Sequence, residues 1–353
     1  MRLHIFNPEH DLVLAATEGG KNYTPPRAAV ALRRDLGYLP AFWAGEGDAV
    51  LVDDVERARA LAAPFKEHFR HPLFLSDDGV KEWVRKGVLE WVVLPWGWDC
   101  NVKRRLLRDG MPLSALPSEE ELEHVRHLSD RTTSVALLHE MVGRWQLALG
   151  ERWVARSMEE VKALLADKGA LVLKAPWSST GRGVRFVAEK LTASEEGFVA
   201  HTLDVQRSII VEPHYDRVLD FAMEFEVAPG GCPHYSGLSV FDTDGAGYVG
   251  GMLASETEKL RVVGAYLPLP LLEEVKEHVL DWLRHTAGRL VGPVGVDMMV
   301  VRTADGWRLH PCVEVNVRRT MGHVAISIAQ RMQGAARRMA IHFEKGNYQL
   351  NII

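Results

Sequence analysis

Short apolar runs alternate with amphipathic segments over the first third of the chain. Residues 3–6 and 49–52 have the length and composition of strands, whereas the apolar positions of residues 27–36 recur at helical spacing. Residues 87–94 are predicted to form a buried strand. Strands that alternate with helices favour a parallel sheet covered by helices, so residues 1–117 are predicted to form an N-terminal α/β domain.

Helix-start signals change the pattern near residue 118. Ser118 and Ser157 are each followed three residues later by a glutamate, which is the spacing of a capping box. Another helix is predicted to begin at residues 129–132. A short apolar strand then ends at Lys174, and a return strand follows it. Residues 118–205 are therefore predicted to form a small α+β lobe.

Strand-like patterns dominate from residue 206 onward, and residues 206–353 are predicted to form a larger lobe. Strands are predicted at residues 208–211, 220–227, 234–241, 295–301 and 307–317. The glycine-rich residues 245–251 are predicted to be a mobile loop. A closing helix is predicted from apolar residues at helical spacing, namely Val324, Ile328, Met332 and Met339. The fold class is thus α/β and α+β, with a parallel domain followed by two lobes.

Composition and charge narrow the functional class. The 353 residues are 47% hydrophobic and 25% charged, as expected of a globular protein with a large core. The net charge of −5 argues against nucleic acid as a partner. No apolar stretch reaches membrane-spanning length, the N-terminus lacks a signal peptide pattern, and the three cysteines lack metal-site spacing, so we expect a cytoplasmic protein without a membrane partner.

A lysine followed by a loop of small residues is the first candidate for phosphate binding. Lys174 ends its strand and supplies a point charge for phosphate oxygens. Glycines in the loop that follows allow backbone N–H groups to approach those oxygens. The loop consists of Ser178, Ser179, Thr180, Gly181, Arg182 and Gly183. A hairpin turn would explain the glycines equally well, so this pattern alone leaves both interpretations open.

Two carboxylates and an amide are predicted to meet on the last strand pair. If Ala304 and Asp305 form the turn, Asp297 lies opposite Cys312 and diagonal to Glu314. Glu314 and Asn316 are two residues apart, so they project from the same face. Buried carboxylates need compensation, and hard oxygen ligands favour Mg²⁺, with Mn²⁺ as a substitute. An exposed polar sheet face is the alternative.

Arginines and an N-terminal polar cluster complete the candidate residues. Arg318 continues the face of Glu314 and can hold a phosphate or an anionic intermediate, whereas Arg319 is a substrate-site candidate or a structural charge. Asn7, His10 and Asp11 follow the first strand, where ligand sites of α/β sheets form, although loop capping also explains them.

The order of these parts resembles the ATP-grasp superfamily. Residues 295–297 and 314–318 are similar to its metal-binding strands, and Lys174 is similar to its strand lysine. Residues 178–183 resemble the loop that covers the phosphates in that family. Arg131 stands where many members have a lysine that binds phosphate. The resemblance covers residues 118–343 and implies two lobes that bind ATP between them.

The resemblance also implies the contacts of the nucleoside. Residues 211–215, which include Glu212 and His214, resemble the hinge segment that meets adenine. Asp220 stands at the position of the ribose-binding acid, which is usually a glutamate, and Glu224 and Glu226 on the same strand are alternatives.

The function implied is an ATP-dependent, ADP-forming ligation of a carboxylate to an amine, or to a thiol, through an acyl phosphate. The substrates are expected to be small molecules or peptides, and the oligomeric state, including a homo-oligomer, stays open. A small-molecule kinase on the same ATP site and a non-catalytic nucleotide-binding regulator are the alternatives.

Overall fold

The computed structural model describes residues 2–16, 23–87, 90–178, 183–245, 247–286, 288, 290–332 and 337–353. These residues form three sheets, one parallel and two antiparallel, with helices packed on them. The predicted fold class, α/β and α+β with a parallel domain followed by two lobes, is confirmed, and the sheets of both lobes are antiparallel. No helix in the described part of the chain is long and apolar enough to cross a membrane.

The N-terminal domain is a four-stranded parallel sheet in the order β3-β2-β1-β4. Its strands are β1 (Arg2–Ile5), β2 (Ala49–Leu51), β3 (Leu73–Leu75) and β4 (Val92–Pro95). Its helices are α1 (His10–Ala16), α2 (Arg27–Leu36), α3 (Val55–Ala62), α4 (Asp77–Arg85) and α5 (Cys100–Arg108). The strand predicted at residues 87–94 begins later than expected, because Gly87 turns the chain with a φ of 75° after α4. Val88 and Leu89 lie outside the described residues.

The small sheet has the order β5-β8-β6-β7, and all its pairs are antiparallel. Its strands are β5 (Trp153–Ala155), β6 (Leu171–Lys174), β7 (Val184–Val187) and β8 (Ile209–Pro213). The helices of this part of the chain are α6 (Glu119–Leu128), α7 (Ser134–Arg144), α8 (Met158–Lys168) and α9 (Ala193–Gln206). Strand β8 pairs with β5 and β6 although it follows residue 205, so the small sheet draws on the segment that leads into the larger lobe.

The starts of two helices depend on serine caps. Ser118 forms the predicted capping box with Glu121 at the start of α6. Ser157 also caps α8, but the Glu160 carboxylate accepts from the N–H of Arg156 instead of closing a box.

The large sheet has seven antiparallel strands in the order β13-β12-β9-β10-β11-β14-β15. These are β9 (Arg217–Ala228), β10 (Cys232–Asp244), β11 (Gly247–Leu253), β12 (Gly292–Thr303), β13 (Gly306–Asn316), β14 (Arg337–Glu344) and β15 (Asn347–Ile352). Its helices are α10 (Glu256–Gly264), α11 (Leu269–Thr286) and α12 (Met321–Arg331). Leu138 of α7 and Val275 of α11 share one core with Phe221 and Phe225 of the sheet. Val324 of α12 shares another core with the N-terminal domain, which fixes that domain against the large sheet.

Two predictions about the larger lobe are wrong. Residues 247–251 of the predicted 245–251 loop are not a loop, because Gly247–Leu253 is strand β11, paired with β10 and β14. Glycine is needed there for close approach, since a Cβ on Gly250 would lie 2.6 Å from the carbonyl oxygen of Met339. Met339 does not continue the last helix, which ends at Arg331, but lies on β14.

A glycine at the start of α12 makes a first testable prediction. A Cβ on Gly322 would overlap the Oε1 atom of Glu224, a buried side chain that accepts a hydrogen bond from Ser239 over 2.9 Å. Gly322→Ala is therefore expected to lower the free energy of unfolding by about 3 kcal/mol through overpacking. Gly197→Ala is the matched control in α9, where a Cβ meets no atom within 4 Å and the helix gains roughly 0.5–1 kcal/mol. Urea unfolding of both variants measures the difference, and equal stabilities would contradict it.

Candidate functional site

A cleft of about 730 Å³ lies between the small sheet and the large sheet. Strands β6, β7 and β8 form one wall, and strands β9, β10, β12 and β13 form the other. The cleft is lined by six of the residues that the sequence singles out, namely Lys174, Glu212, His214, Asp220, Asp297 and Glu314. The fold therefore brings the two halves of the predicted site, from distant parts of the chain, to one place.

A buried cluster of two basic side chains and one carboxylate forms the cationic part of the cleft wall. The Nζ atom of Lys174 lies 2.6 Å from one carboxylate oxygen of Glu212, and the Nε atom of Arg152 lies 2.6 Å from the other. Burial raises the pKa of Glu212, but Arg152 and Lys174 outweigh burial and bring the pKa to about 2. Burial lowers the pKa of Lys174, and Glu212 opposes that effect. One carboxylate is thus shared by two cations, so the cluster carries a net positive charge beside the cleft.

Arg152 was not predicted from the sequence. It precedes β5, its side chain is fully buried, and it also donates to the Ser134 hydroxyl and to the carbonyl oxygens of Cys312 and Val313. It therefore links the helix α7 and strand β13 to the Glu212 carboxylate. No local pattern distinguishes this arginine from the other arginines of the chain, because its partners are separated from it by up to 161 residues.

Arg131 connects the phosphate-loop side of the cleft to the opposite wall. It lies in a turn before α7, which begins at Ser134 and not at residues 129–132 as predicted. Its Nη1 atom donates to the carbonyl oxygen of Ala175 and to the Ser178 hydroxyl over 2.6 and 2.9 Å. Its Nη2 atom donates to the Glu314 carboxylate over 2.7 Å. The structure thus places Arg131 beside both predicted phosphate-loop and metal-site residues.

The predicted loop itself is described only at its ends. The carbonyl oxygen of Gly183 accepts from the N–H of Ala175 over 2.8 Å, which closes the base of the loop. Ser179, Thr180, Gly181 and Arg182 lie outside the described residues, so their roles stay predictions.

The pairing of β12 with β13 differs from the predicted register at the metal-site residues. Asp297 lies directly opposite Glu314, not opposite Cys312. The turn at Ala304 and Asp305 forms as predicted, but a bulge lies between the pair of Met299 with His310 and the pair of Asp297 with Glu314. The two-residue step from Asp297 to Met299 on β12 therefore spans the same part of the ladder as the four-residue step from His310 to Glu314 on β13. Pro311 lies inside the bulge and has no N–H group to donate to the ladder, which gives the bulge a physical reason.

The bulge brings two carboxylates closer than the regular register would. Burial raises the pKa of Asp297 well above its usual value, and the charges of Glu314 and Glu224 raise it further, while Arg318 opposes them. Asn316 donates from Nδ2 to the Asp297 carboxylate over 3.1 Å. A divalent cation fits such a pair, because it would relieve both the repulsion and the burial cost.

The protein itself offers few metal ligands here. The described residues contain no group of three His, Cys, Asp or Glu side chains that could hold a metal ion. If Asp297, Glu314 and the amide oxygen of Asn316 held Mg²⁺, as the sequence predicts, they would supply only part of its ligands, and water and phosphate oxygens would supply the others.

The N-terminal candidates separate into two groups. The Asp11 carboxylate accepts from Arg318 Nε over 2.9 Å, so Asp11 joins the predicted catalytic arginine. Asn7 and His10 are buried instead, and both contact the Asp99 carboxylate, at 2.9 and 3.4 Å. Their observed contacts hold the loop between β1 and α1 in place, which matches the loop-capping alternative.

Arg319 points away from Arg318. It forms an ion pair with Glu226 at 3.7 Å, and its guanidinium lies 4.6 Å from the ring centre of Trp43. The structure does not bring Arg319 together with Asp11, with which it had been grouped as a substrate residue.

Of the three acids considered for ribose, Asp220 alone lines the cleft. It accepts from the Thr243 hydroxyl over 2.7 Å and pairs with Arg217 at 3.2 Å. Glu224 is buried against His323 at 2.9 Å, and Glu226 faces Arg319. His214 lines the cleft near Asp220, but its backbone N–H already donates to Ala170 over 2.9 Å, so a ligand would have to use other groups of this segment.

Comparison with known proteins identifies the fold. No family model and no curated protein matches the chain. Among solved structures, N5-carboxyaminoimidazole synthetase from Staphylococcus aureus, complexed with ADP, aligns over 98% of this chain and 83% of its own, with a TM-score of 0.52 and 11% identity. Biotin carboxylase from Campylobacter jejuni, as a β-γ-ATP complex, aligns over 97% of this chain and 76% of its own, with a TM-score of 0.52 and 12% identity. At these identities the likeness shows a shared fold.

Proposed function

The chain has the ATP-grasp fold, and on that premise we propose that it is an ATP-dependent ligase that joins a carboxylate to an amine through an acyl phosphate. One observation carries the proposal. Lys174 from one side and the Asp297–Glu314 pair from the other line a single cleft large enough for a nucleotide, and Arg131 forms an ion pair with Glu314.

The nucleotide would lie across the cleft between the two sheets. Residues 212–215 and Asp220 would contact adenine and ribose, and Lys174 and Arg131 would contact the phosphates. Asp297, Glu314 and Asn316 would hold Mg²⁺, which when bound neutralises charge on the phosphate oxygens. Lys174 and Arg131 are already fixed by Glu212 and Glu314, so little reorganisation is needed when a phosphate arrives.

Arg318 would position the substrate carboxylate. It forms an ion pair with Asp11 at 2.9 Å, and the charges of Asp11, Glu314 and Asp297 all favour its charged form. A substrate carboxylate could replace Asp11 as its partner, which would place an acceptor oxygen next to the γ-phosphate. The phosphoryl group would pass to that oxygen with release of ADP, and the amine would then displace phosphate.

Product analysis tests the reaction class. The protein would be incubated with ATP, Mg²⁺ and a panel of carboxylates paired with amines, and the products followed by phosphorus NMR and mass spectrometry. A ligase gives ADP, free phosphate and an amide. Phosphate retained on an organic product would identify a kinase, and nucleotide binding without turnover across the panel would identify a regulator.

Arg318→Lys tests the proposed role of this arginine. The variant keeps the positive charge but loses the planar fork that binds a carboxylate through two hydrogen bonds. We expect the turnover of the substrate pair to fall by about 10²-fold or more, while the Kd of MgADP measured by calorimetry changes little. Arg308→Lys is the control, because Arg308 lies near the start of β13, the strand that ends two residues before Arg318. Turnover within threefold of the unmodified protein would contradict the role.

A further inference from the structure

A second cavity, of about 340 Å³, lies between the N-terminal sheet and the α12 side of the large sheet. Its lining includes Arg2 and His4 of β1, Glu226 of β9 and His323 of α12. None of its described lining residues also lines the nucleotide cleft. Glu226 is four residues beyond Ala222, the neighbour of Asp297 on β9, so this cavity begins about 13 Å along the strand from the metal pair.

Arg319 is a charged group of this cavity with few polar contacts. Its side chain is 13% exposed, yet its nearest carboxylate oxygen, on Glu226, is 3.7 Å away. Within the described ranges its guanidinium donates no hydrogen bond of normal length, and its other contact is the face of Trp43 at 4.6 Å. Burial lowers the pKa of Arg319, and the charges of Glu226 and Glu224 oppose that effect only in part.

Two contacts position the arginine at the cavity wall. Its backbone N–H donates to the carbonyl oxygen of Trp96 over 2.7 Å, and its guanidinium carbon lies 4.6 Å from the ring centre of Trp43. A flat guanidinium held on one face by an aromatic ring keeps its N–H edge free for a planar or tetrahedral oxyanion.

The charges around the cavity are suited to an anion. Arg2 and His234 stand at its exposed side, whereas the other two histidines are already paired, His4 with Asp48 and His323 with Glu224. Glu226 is the acid that faces Arg319, and it is 37% exposed, so it can turn toward water. The cavity volume lies at the lower end of the range for small-molecule sites.

We propose that this cavity is a second ligand site, which binds a small metabolite through a carboxylate or phosphate group held by Arg319. Leu94 and Ile326 on its wall would contact the apolar part of the ligand. The proposal goes beyond the ligase reaction, because it requires neither the nucleotide nor any residue of the cleft.

Binding to the protein saturated with MgADP separates this site from the cleft. Inorganic phosphate, succinate, citrate, glutamate and a sugar phosphate would each be titrated by calorimetry, with thermal unfolding as a second readout. We expect at least one of these anions to bind and to raise the Tm while the nucleotide stays bound. The same measurement without nucleotide distinguishes failure of this site from failure of the proposed ligase, since anion binding here is expected in both conditions.

Substitutions of Arg319 test whether this side chain holds the bound anion. Arg319→Leu and Arg319→Lys are expected to raise the Kd of the anion by about tenfold or more, because the pair of charged hydrogen bonds from the guanidinium is lost. Glu226→Gln is expected to lower the Kd of the anion, because it removes the carboxylate that competes with the anion for Arg319. Arg302→Leu is the matched control, since Arg302 also lies over a tryptophan, Trp307 at 5.5 Å, with a carboxylate at 3.7 Å, but is 60% exposed. The proposal is overturned if no anion of the panel binds, or if binding is unchanged in both Arg319 variants.

Discussion

Replacement of Asp297 by Asn together with Glu314 by Gln is expected to abolish Mg²⁺-dependent ATP turnover, with a loss of at least about 10³-fold. The two carboxylates lie directly opposite each other at the cleft, where a bound cation would relieve their mutual repulsion and the cost of burial. The amides keep the size and shape of the side chains but supply no charge for the metal. The rate of ADP formation with the substrate pair measures the loss.

The same variant should fold normally. Removal of the two like charges relieves their repulsion, and the amide oxygen that replaces the Glu314 carboxylate can still accept from Arg131, so the free energy of unfolding is expected to change by no more than about 1–2 kcal/mol. Asp305→Asn, at the turn of the same hairpin, is the control and should keep full turnover. If the double variant retained Mg²⁺-dependent turnover, the assignment of the metal site would be refuted.

Arg152→Met is expected to give the largest loss of stability, about 3–5 kcal/mol in the free energy of unfolding. The substitution leaves the buried Glu212 carboxylate with Lys174 alone and removes the donors to Ser134, Cys312 and Val313. Urea unfolding followed by circular dichroism measures the effect.

Two further variants test whether the loss of stability in Arg152→Met comes from the buried cluster and not from the loss of any arginine. Arg59→Met removes an ion pair with Glu56 on the surface, where both side chains are more than half exposed, and is expected to change the stability by less than about 0.5 kcal/mol. The double variant Arg152→Met, Glu212→Gln should recover part of the loss, because no uncompensated carboxylate stays buried. A loss for Arg152→Met as small as that for Arg59→Met would show that the buried cluster does not stabilise the fold.

Local patterns were sufficient for the parts of the site that depend on single strands. Lys174 ends a fully buried strand, as its apolar run predicted, and the turn at residues 304–305 forms where the Asp-Gly sequence placed it. The shared face of Glu314 and Asn316 also follows from the two-residue period of a strand.

The two-residue period of a strand was not sufficient to predict that Asp297 lies opposite Glu314. A regular ladder puts Asp297 opposite Cys312, and the bulge moves it opposite Glu314. Pro311 was the signal in the sequence, because a proline in a central part of a strand pair interrupts the ladder.

Long-range partners explain the remaining differences. The importance of Arg152 depends on Glu212 and Val313, which only the fold brings to it. The predicted closing helix extends to Met339 because that residue continues the apolar spacing of α12, whereas in the structure Met339 lies on β14, and Gly346, with a φ of 81°, marks the turn between β14 and β15.

The structure of a complex with Mg²⁺ and a nonhydrolysable ATP analogue tests most directly whether the cleft is a Mg–ATP site. We predict a metal ion about 2.1 Å from carboxylate oxygens of both Asp297 and Glu314, with phosphate oxygens in contact with Lys174. An analogue bound outside the cleft, or bound there with no metal at the carboxylate pair, would contradict the proposed function.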